Sequence, residues 1–143
     1  NPTPIEGYPF FSNMMFDNKL GMPRPHNVFI PSIMIAIQMN YKHIFLVGGD
    51  HSWHELLKVD INNNVLLNQQ HFYDTKEDWR TMKLRAGRSR KLHEVLKKWM
   101  LSHKAYVEFE EYSEKRNFRI YNSSKKSYID AFERVELNTI NDV

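Results

Sequence analysis

Apolar positions recur in three rhythms along this chain, and each rhythm predicts a different element. From Val28 to Met39 nearly every position is apolar, broken at Pro31, Ser32 and Gln38. That density predicts a helix reaching about Asn40 and buried rather than surface-lying. Asn27 reads as its N-cap, and Pro31 is tolerated because it falls in the first turn. After a turn at Tyr41-Lys42, His43 to Val47 is a short continuous apolar run closed by Gly48-Gly49, the pattern of a strand buried in a parallel sheet. Leu57 to Ile61 and Val65 to Leu67 flank Asn62-Asn63-Asn64 and predict a β-hairpin. Ser89 reads as the cap of a long helix to about Lys115, with Leu92, Val95, Leu96, Trp99, His103, Tyr106 and Val107 on its core face. Phe118 to Asn122 is a second short strand, and Ser127 to Phe132 reads as a last helical turn.

Two stretches lack a rhythm. Residues 1–26 are rich in Pro, Asn, Met and Phe and read as an irregular arm burying Tyr8, Phe10, Phe11 and Phe16, with Pro23 and Pro25 opposing helix up to His26. Gln69 to Arg90 is polar and reads as irregular, its Lys76 to Arg88 part as an exposed loop. Helix, strand, excursion, helix, strand is a βαβ-like order, so the expected class is α/β: a Rossmann-like three-layer parallel sheet. Two strands are too few for an independent sheet, which implies a partial domain whose N-terminal half is missing. The opening Asn-Pro-Thr-Pro, without an initiator Met, fits that expectation. The organisation expected is one α/β domain or half-domain over 1–143: an arm to 26, a core over 27–134 and a tail over 135–143.

Composition narrows the classes. An apolar share of 41% is enough for a real core and argues against wholesale disorder. The longest apolar run is too short to span a bilayer, which takes roughly 20 residues, and no signal-peptide pattern opens the chain. With no cysteine, disulfides, thiolate zinc sites and a thiol nucleophile are excluded. The expected location is cytoplasmic, extending to the inner face of the cytoplasmic membrane. His51 and His54 are the only close histidine pair, so no metal site is expected. Charge is uneven: residues 1–75 hold four Lys/Arg against six Asp/Glu, whereas 76–143 hold sixteen against eleven. Seven of those cations lie between Lys76 and Lys91. No nucleic-acid motif accompanies them, and the remaining readings are a solvated loop, a patch for phosphate-bearing substrates or a peripheral membrane contact.

In open parallel sheets the ligand sits beyond the carboxyl ends of the strands. That rule selects Gly49, Asp50, His51 and Trp53 after the first strand, and Asn122 with Ser123 after the second. Asp50 suits a sugar hydroxyl, Trp53 offers a stacking face, and the Asn122-Ser123-Ser124 groups would face the same rim. Both segments also make ordinary strand-exit turns. Arg24 and Asn27, at the start of the apolar helix, suit an anion through free helix N–H groups, with plain capping as the alternative. In Gln70-His71-Phe72-Tyr73-Asp74, a histidine flanked by aromatics suits a general base, and Tyr73 a donor to a leaving phosphate. The alternative is an aromatic anchor pinning the loop.

The block from Asn27-Val28 through Ala36-Ile37 to Asn40-Tyr41-Lys42-His43-Ile44-Phe45-Leu46-Val47-Gly48-Gly49-Asp50 resembles the central helix and strand of bacterial lipooligosaccharide sialyltransferases, usually written "AIALGYKEIYLSGID". Leu92 through Arg119-Ile120-Tyr121-Asn122-Ser123 to Phe132 resembles that family's last crossover helix and strand. The same pattern occurs in a family similar to 6-hydroxymethylpterin pyrophosphokinases. The likeness covers about residues 24–134. It implies a nucleotide-sugar donor, a glycan acceptor and an inverting, metal-independent transfer with no cofactor, in which His71 is the base. His51, Ser52 and Trp53 stand where the family has tyrosines, and Tyr73 is the nearest phenol. The expectation is a sialyltransferase-like glycosyltransferase of surface-polysaccharide synthesis. The alternatives are a pterin diphosphokinase-like enzyme needing Mg²⁺–ATP, or a non-catalytic interaction domain. The sequence leaves room for a homo-oligomer.

Overall fold

A computed structural model describes residues 3–68 and 77–142. Along the chain run β1 (Thr3–Pro4), α1 (Pro9–Asp17), β2 (Gly21–Met22), α2 (Phe29–Gln38), β3 (His43–Leu46), β4 (Leu57–Val59), β5 (Val65–Asn68), β6 (Trp79–Thr81), α3 (Leu92–Glu114), β7 (Arg119–Asn122) and β8 (Glu133–Arg134). The class is mixed α/β, with three small sheets among the described residues. Two compact units form: 1–50 together with 99–143, and 51–98. No helix among the described residues is long and apolar enough to cross a membrane.

The first unit holds a three-stranded parallel sheet in the order β3-β7-β8. His43 to Leu46 pair in register with Arg119 to Asn122, as the two apolar runs lead one to expect. A third strand, not anticipated, joins at Tyr121–Glu133 and Asn122–Arg134. Tyr121 lies opposite Phe45 and stacks on it with ring centroids 5.0 Å apart, and His43 stacks on the same ring at 6.1 Å. Such cross-strand rings fix the register, because a one-residue slip would send them to the opposite face. The core draws Ile30, Ile33 and Met34 from α2, Ile44 and Leu46 from β3, Tyr106 and Phe109 from α3, and Ile120 from β7.

Several expectations are corrected here. The arm is not irregular: α1 starts at Pro9, whose missing N–H costs nothing in the first turn, and Pro23 and Pro25 lie beyond its end. Of the arm's four rings only Phe16 is buried, whereas Tyr8, Phe10 and Phe11 are exposed. Helix α2 is not buried all round, since Val28, Ile35 and Met39 form an exposed apolar stripe. The core face of α3 is Val95, Ser102, Ala105, Tyr106, Phe109, Tyr112 and Ser113, which leaves Leu92, Leu96 and Val107 exposed. Ser127 to Phe132 is not helical. The Ser127 hydroxyl instead donates to the Gly49 carbonyl and accepts the Ile129 N–H, offering the backbone an alternative to helix.

The second unit is antiparallel, with order β4-β5-β6. The hairpin at Asn62-Asn63-Asn64 forms as the pattern predicts, with Asn63 at φ 58° and the Asp60 carboxylate accepting the Asn62 and Asn64 N–H groups. The segment expected to be an irregular loop contains β6. It continues into a second hairpin, in which Leu84 donates to the Arg88 carbonyl, Arg90 donates to the Met82 carbonyl and Gly87 turns at φ 84°. Ser89 bridges Lys83 there and does not cap α3. Glu94 takes the N-terminal role, accepting the Lys91 N–H at 2.7 Å.

Candidate functional site

The β3 and β7 strands run parallel, so their carboxyl ends open on one rim and the segments that follow them meet there. Gly48 lets the chain leave β3 at φ 71°, a conformation that favours glycine. Gly49 is buried, and a Cβ on it would lie 3.1 Å from Ile129 Cδ1. Its N–H donates to Ser124 Oγ at 2.9 Å, and its carbonyl accepts the Ser127 hydroxyl. The Tyr128 N–H donates to the Asp50 carbonyl at 2.8 Å, while Asp50 itself is exposed. Asn122 is 1% exposed; it donates to the Ile129 carbonyl at 2.9 Å and accepts the Ser124 N–H at 3.1 Å. Gly49 and Asn122 therefore clamp the rim, and neither offers its polar groups to a ligand.

Ser123 differs from both. Its N–H donates to the Leu46 carbonyl at 2.8 Å, but its hydroxyl oxygen is buried with no hydrogen-bond partner among the described residues. It lines a cleft of about 680 Å³ between the segments that follow β7 and β8, with Ser124, Lys125, Arg134, Glu136 and Asn138 also on the wall. Arg134 is oriented by a hydrogen bond of 2.6 Å to the Ser127 carbonyl. A buried, unsatisfied hydroxyl carries a desolvation cost of about 1–3 kcal/mol. Sequence reasoning placed Ser123 and Ser124 at this rim but missed Ser127, Lys125 and Arg134. The signal was β8 itself, a two-residue strand too short to register as a pattern.

The other sequence candidates have local partners of their own or lie outside the described residues. Arg24 pairs with Glu6 at 3.0 Å, both about half exposed. Asn27 caps α2: its Oδ1 accepts the Phe29 N–H at 3.0 Å and the Ile30 N–H at 3.4 Å, and also the Tyr106 hydroxyl at 3.2 Å. Burial pushes that phenol up to about 12, partly offset by the bond to Asn27. Capping thus accounts for Asn27 without an anion. His51 and Trp53 fall in the second unit, where His51 is buried at φ 53° with its ring 4.3 Å from Trp53. His71 and Tyr73 lie outside the described residues.

A smaller cavity of about 220 Å³ lies between the arm and α3 and is lined by Glu6, Glu108 and Glu111 among others. Burial raises the Glu108 carboxyl above its ordinary range, opposed by Lys104 and reinforced by Glu6 and Glu111. No group of side chains among the described residues is arranged to hold a metal ion. No family model matches the chain, and neither does any curated protein or solved structure.

Proposed function

We propose that the first unit is the ligand-binding half of a Rossmann-like enzyme that takes a phosphate-bearing ligand, a nucleotide-activated sugar, at the carboxyl ends of its parallel strands. One observation carries this reading. The cleft at the ends of β7 and β8 sets the cations of Lys125 and Arg134 beside Ser123, whose hydroxyl has no hydrogen-bond partner among the described residues. That is the end at which open parallel sheets receive ligands. An oriented guanidinium and a lysine suit phosphate oxygens, and the exposed Asp50, whose carbonyl accepts the Tyr128 N–H, suits a sugar hydroxyl. Glycosyl transfer to a glycan acceptor is the reaction the family resemblance implies, with His71 as base and Tyr73 as donor to the departing phosphate.

The test is ligand-induced thermal stabilisation and calorimetric titration with cytidine and uridine nucleotides, their sugar conjugates and the free nucleosides. Phosphate-bearing ligands should bind and free nucleosides should not. Arg134→Ala should weaken binding by about 10-fold or more, the scale of one charge-assisted hydrogen bond. Binding unchanged by both Arg134→Ala and Lys125→Ala would refute the cleft as the site. A strict preference for Mg²⁺–ATP would favour the diphosphokinase reading instead.

A further inference from the structure

The second hairpin and the start of α3 form one connected surface within the second unit. Arg88 bridges them, bonding Glu94 through both guanidinium nitrogens at 2.7 and 3.1 Å. Between residues 82 and 98 there are seven Lys/Arg and one acidic residue, and that residue, Glu94, is the one Arg88 takes. Lys83, Arg85, Arg90, Lys91 and Lys97 make no ion pair among the described residues. Leu92 and Leu96, one turn apart on the helix and lying between Lys91 and Lys97 in the chain, stand 38% and 45% exposed. The basic residues alone give no reason for two exposed aliphatic side chains in the same stretch of chain.

We infer that this surface docks on an anionic lipid bilayer, with the Arg/Lys hairpin on the headgroups and Leu92 and Leu96 entering the interface. The two halves of the patch ask for the two halves of such a partner: fixed negative charge for the cations, and an apolar boundary for the leucines. Long Lys and Arg stems let the charges stay at headgroup level while their carbon chains follow the leucines inward. A nucleic acid would match the charge but not the leucines. It would also want an open aromatic face, and the Trp79 ring is covered by Lys58, whose Nζ stands 3.6 Å from its centroid. This surface shares no residue with the cleft, so the inference stands or falls apart from the nucleotide-sugar reading.

The experiment is co-sedimentation of the full chain with vesicles of phosphatidylcholine alone or mixed with phosphatidylglycerol, with far-UV circular dichroism confirming that each variant folds. The chain should pellet with the anionic vesicles only, and high salt should release it. At about fivefold per cation, Arg85→Glu/Arg90→Glu should lower partitioning by roughly 25-fold or more. Leu92→Ser/Leu96→Ser should lower it about tenfold at unchanged charge. Three results would each overturn the inference: no pelleting with anionic vesicles, equal pelleting with neutral ones, or a loss in the charge variant with none in the leucine variant. The last, joined to tight binding of a DNA duplex, would assign the patch to nucleic acid.

Discussion

Replacing Asn122 by leucine tests whether the rim is clamped as described. The side chain is 1% exposed and satisfies two main-chain groups, the Ile129 carbonyl and the Ser124 N–H. Ile129 is fully buried and Ser124 is 7% exposed, so neither group readily finds water once its partner is gone. Leaving a buried donor or acceptor unmade costs about 1–3 kcal/mol each, so Asn122→Leu should cost roughly 2–6 kcal/mol. That is a large part of the 5–15 kcal/mol typical of a domain. At a urea slope of about 2 kcal/mol/M, the unfolding midpoint should fall by about 1–3 M. Equilibrium urea unfolding followed by circular dichroism reads this directly. Ser32→Ala, which removes an exposed hydroxyl bonded to the Val28 carbonyl, serves as control and should stay within about 0.5 kcal/mol. A midpoint for Asn122→Leu within experimental error of wild type would refute the clamp, because both groups would then have found other partners.

Burial holds the Tyr106 and Tyr112 phenols up to about 12, against an ordinary 10. Their raised folded values contribute stability that is present below pH 10 and lost as pH rises toward 12; absorbance titration should show two tyrosines ionising late and unfolding setting in over that window. The Arg116 guanidinium, bonded to both Asp17 oxygens at 2.7 and 2.6 Å, lowers the Asp17 carboxyl, with burial opposing and the Tyr112 hydroxyl helping. That stability is full above pH 3.8 and lost as pH falls through the depressed value. Asp17→Asn should therefore cost about 1 kcal/mol or less at pH 7, given the half-exposed carboxylate, and nothing in strong acid; equal cost at both pH values would contradict the pairing. In a glycosyl-transfer assay, His71→Ala should lower turnover by about 10²–10⁴-fold, and a loss of only a few-fold would make the residue a loop anchor.

What the sequence made legible was governed by period and length. His43 to Val47 is a dense apolar run and Phe118 to Asn122 a short segment of aromatic and β-branched residues, both legible as strands, and the asparagine triplet between Val59 and Val65 could only turn. Long α3 was equally plain, but its buried face was not. Leu92, Leu96 and Val107 share helical spacing with the true core residues, and only tertiary contact decides which stripe turns inward. Short elements escaped because two or three residues carry no period: β6, β8 and the pair β1–β2. The site was half visible for the same reason. Gly49 and Ser123 stand beside a recognisable strand, whereas Lys125 and Arg134 become neighbours only through β8, and Asn27 lost its place as an anion site to the cap and phenol it serves.

The register partners of the central sheet lie 76 positions apart, His43 against Arg119, and the whole of the second unit is spelled out between them. During synthesis the second unit's strands can pair as soon as they emerge, since each lies close in sequence to its neighbour. The first unit must hold β3 unpaired until β7 arrives, roughly 4–15 s later at ribosomal speeds of about 5–20 residues per second. Through that interval Ile44, Phe45 and Leu46 are an open apolar edge, the kind of segment that pairs with the wrong chain. The cleft's last wall, at Arg134 and beyond, is added later still. The first unit is thus begun before the second but completed after it, and the cleft at the ends of β7 and β8 forms only once the second unit's strands have been made.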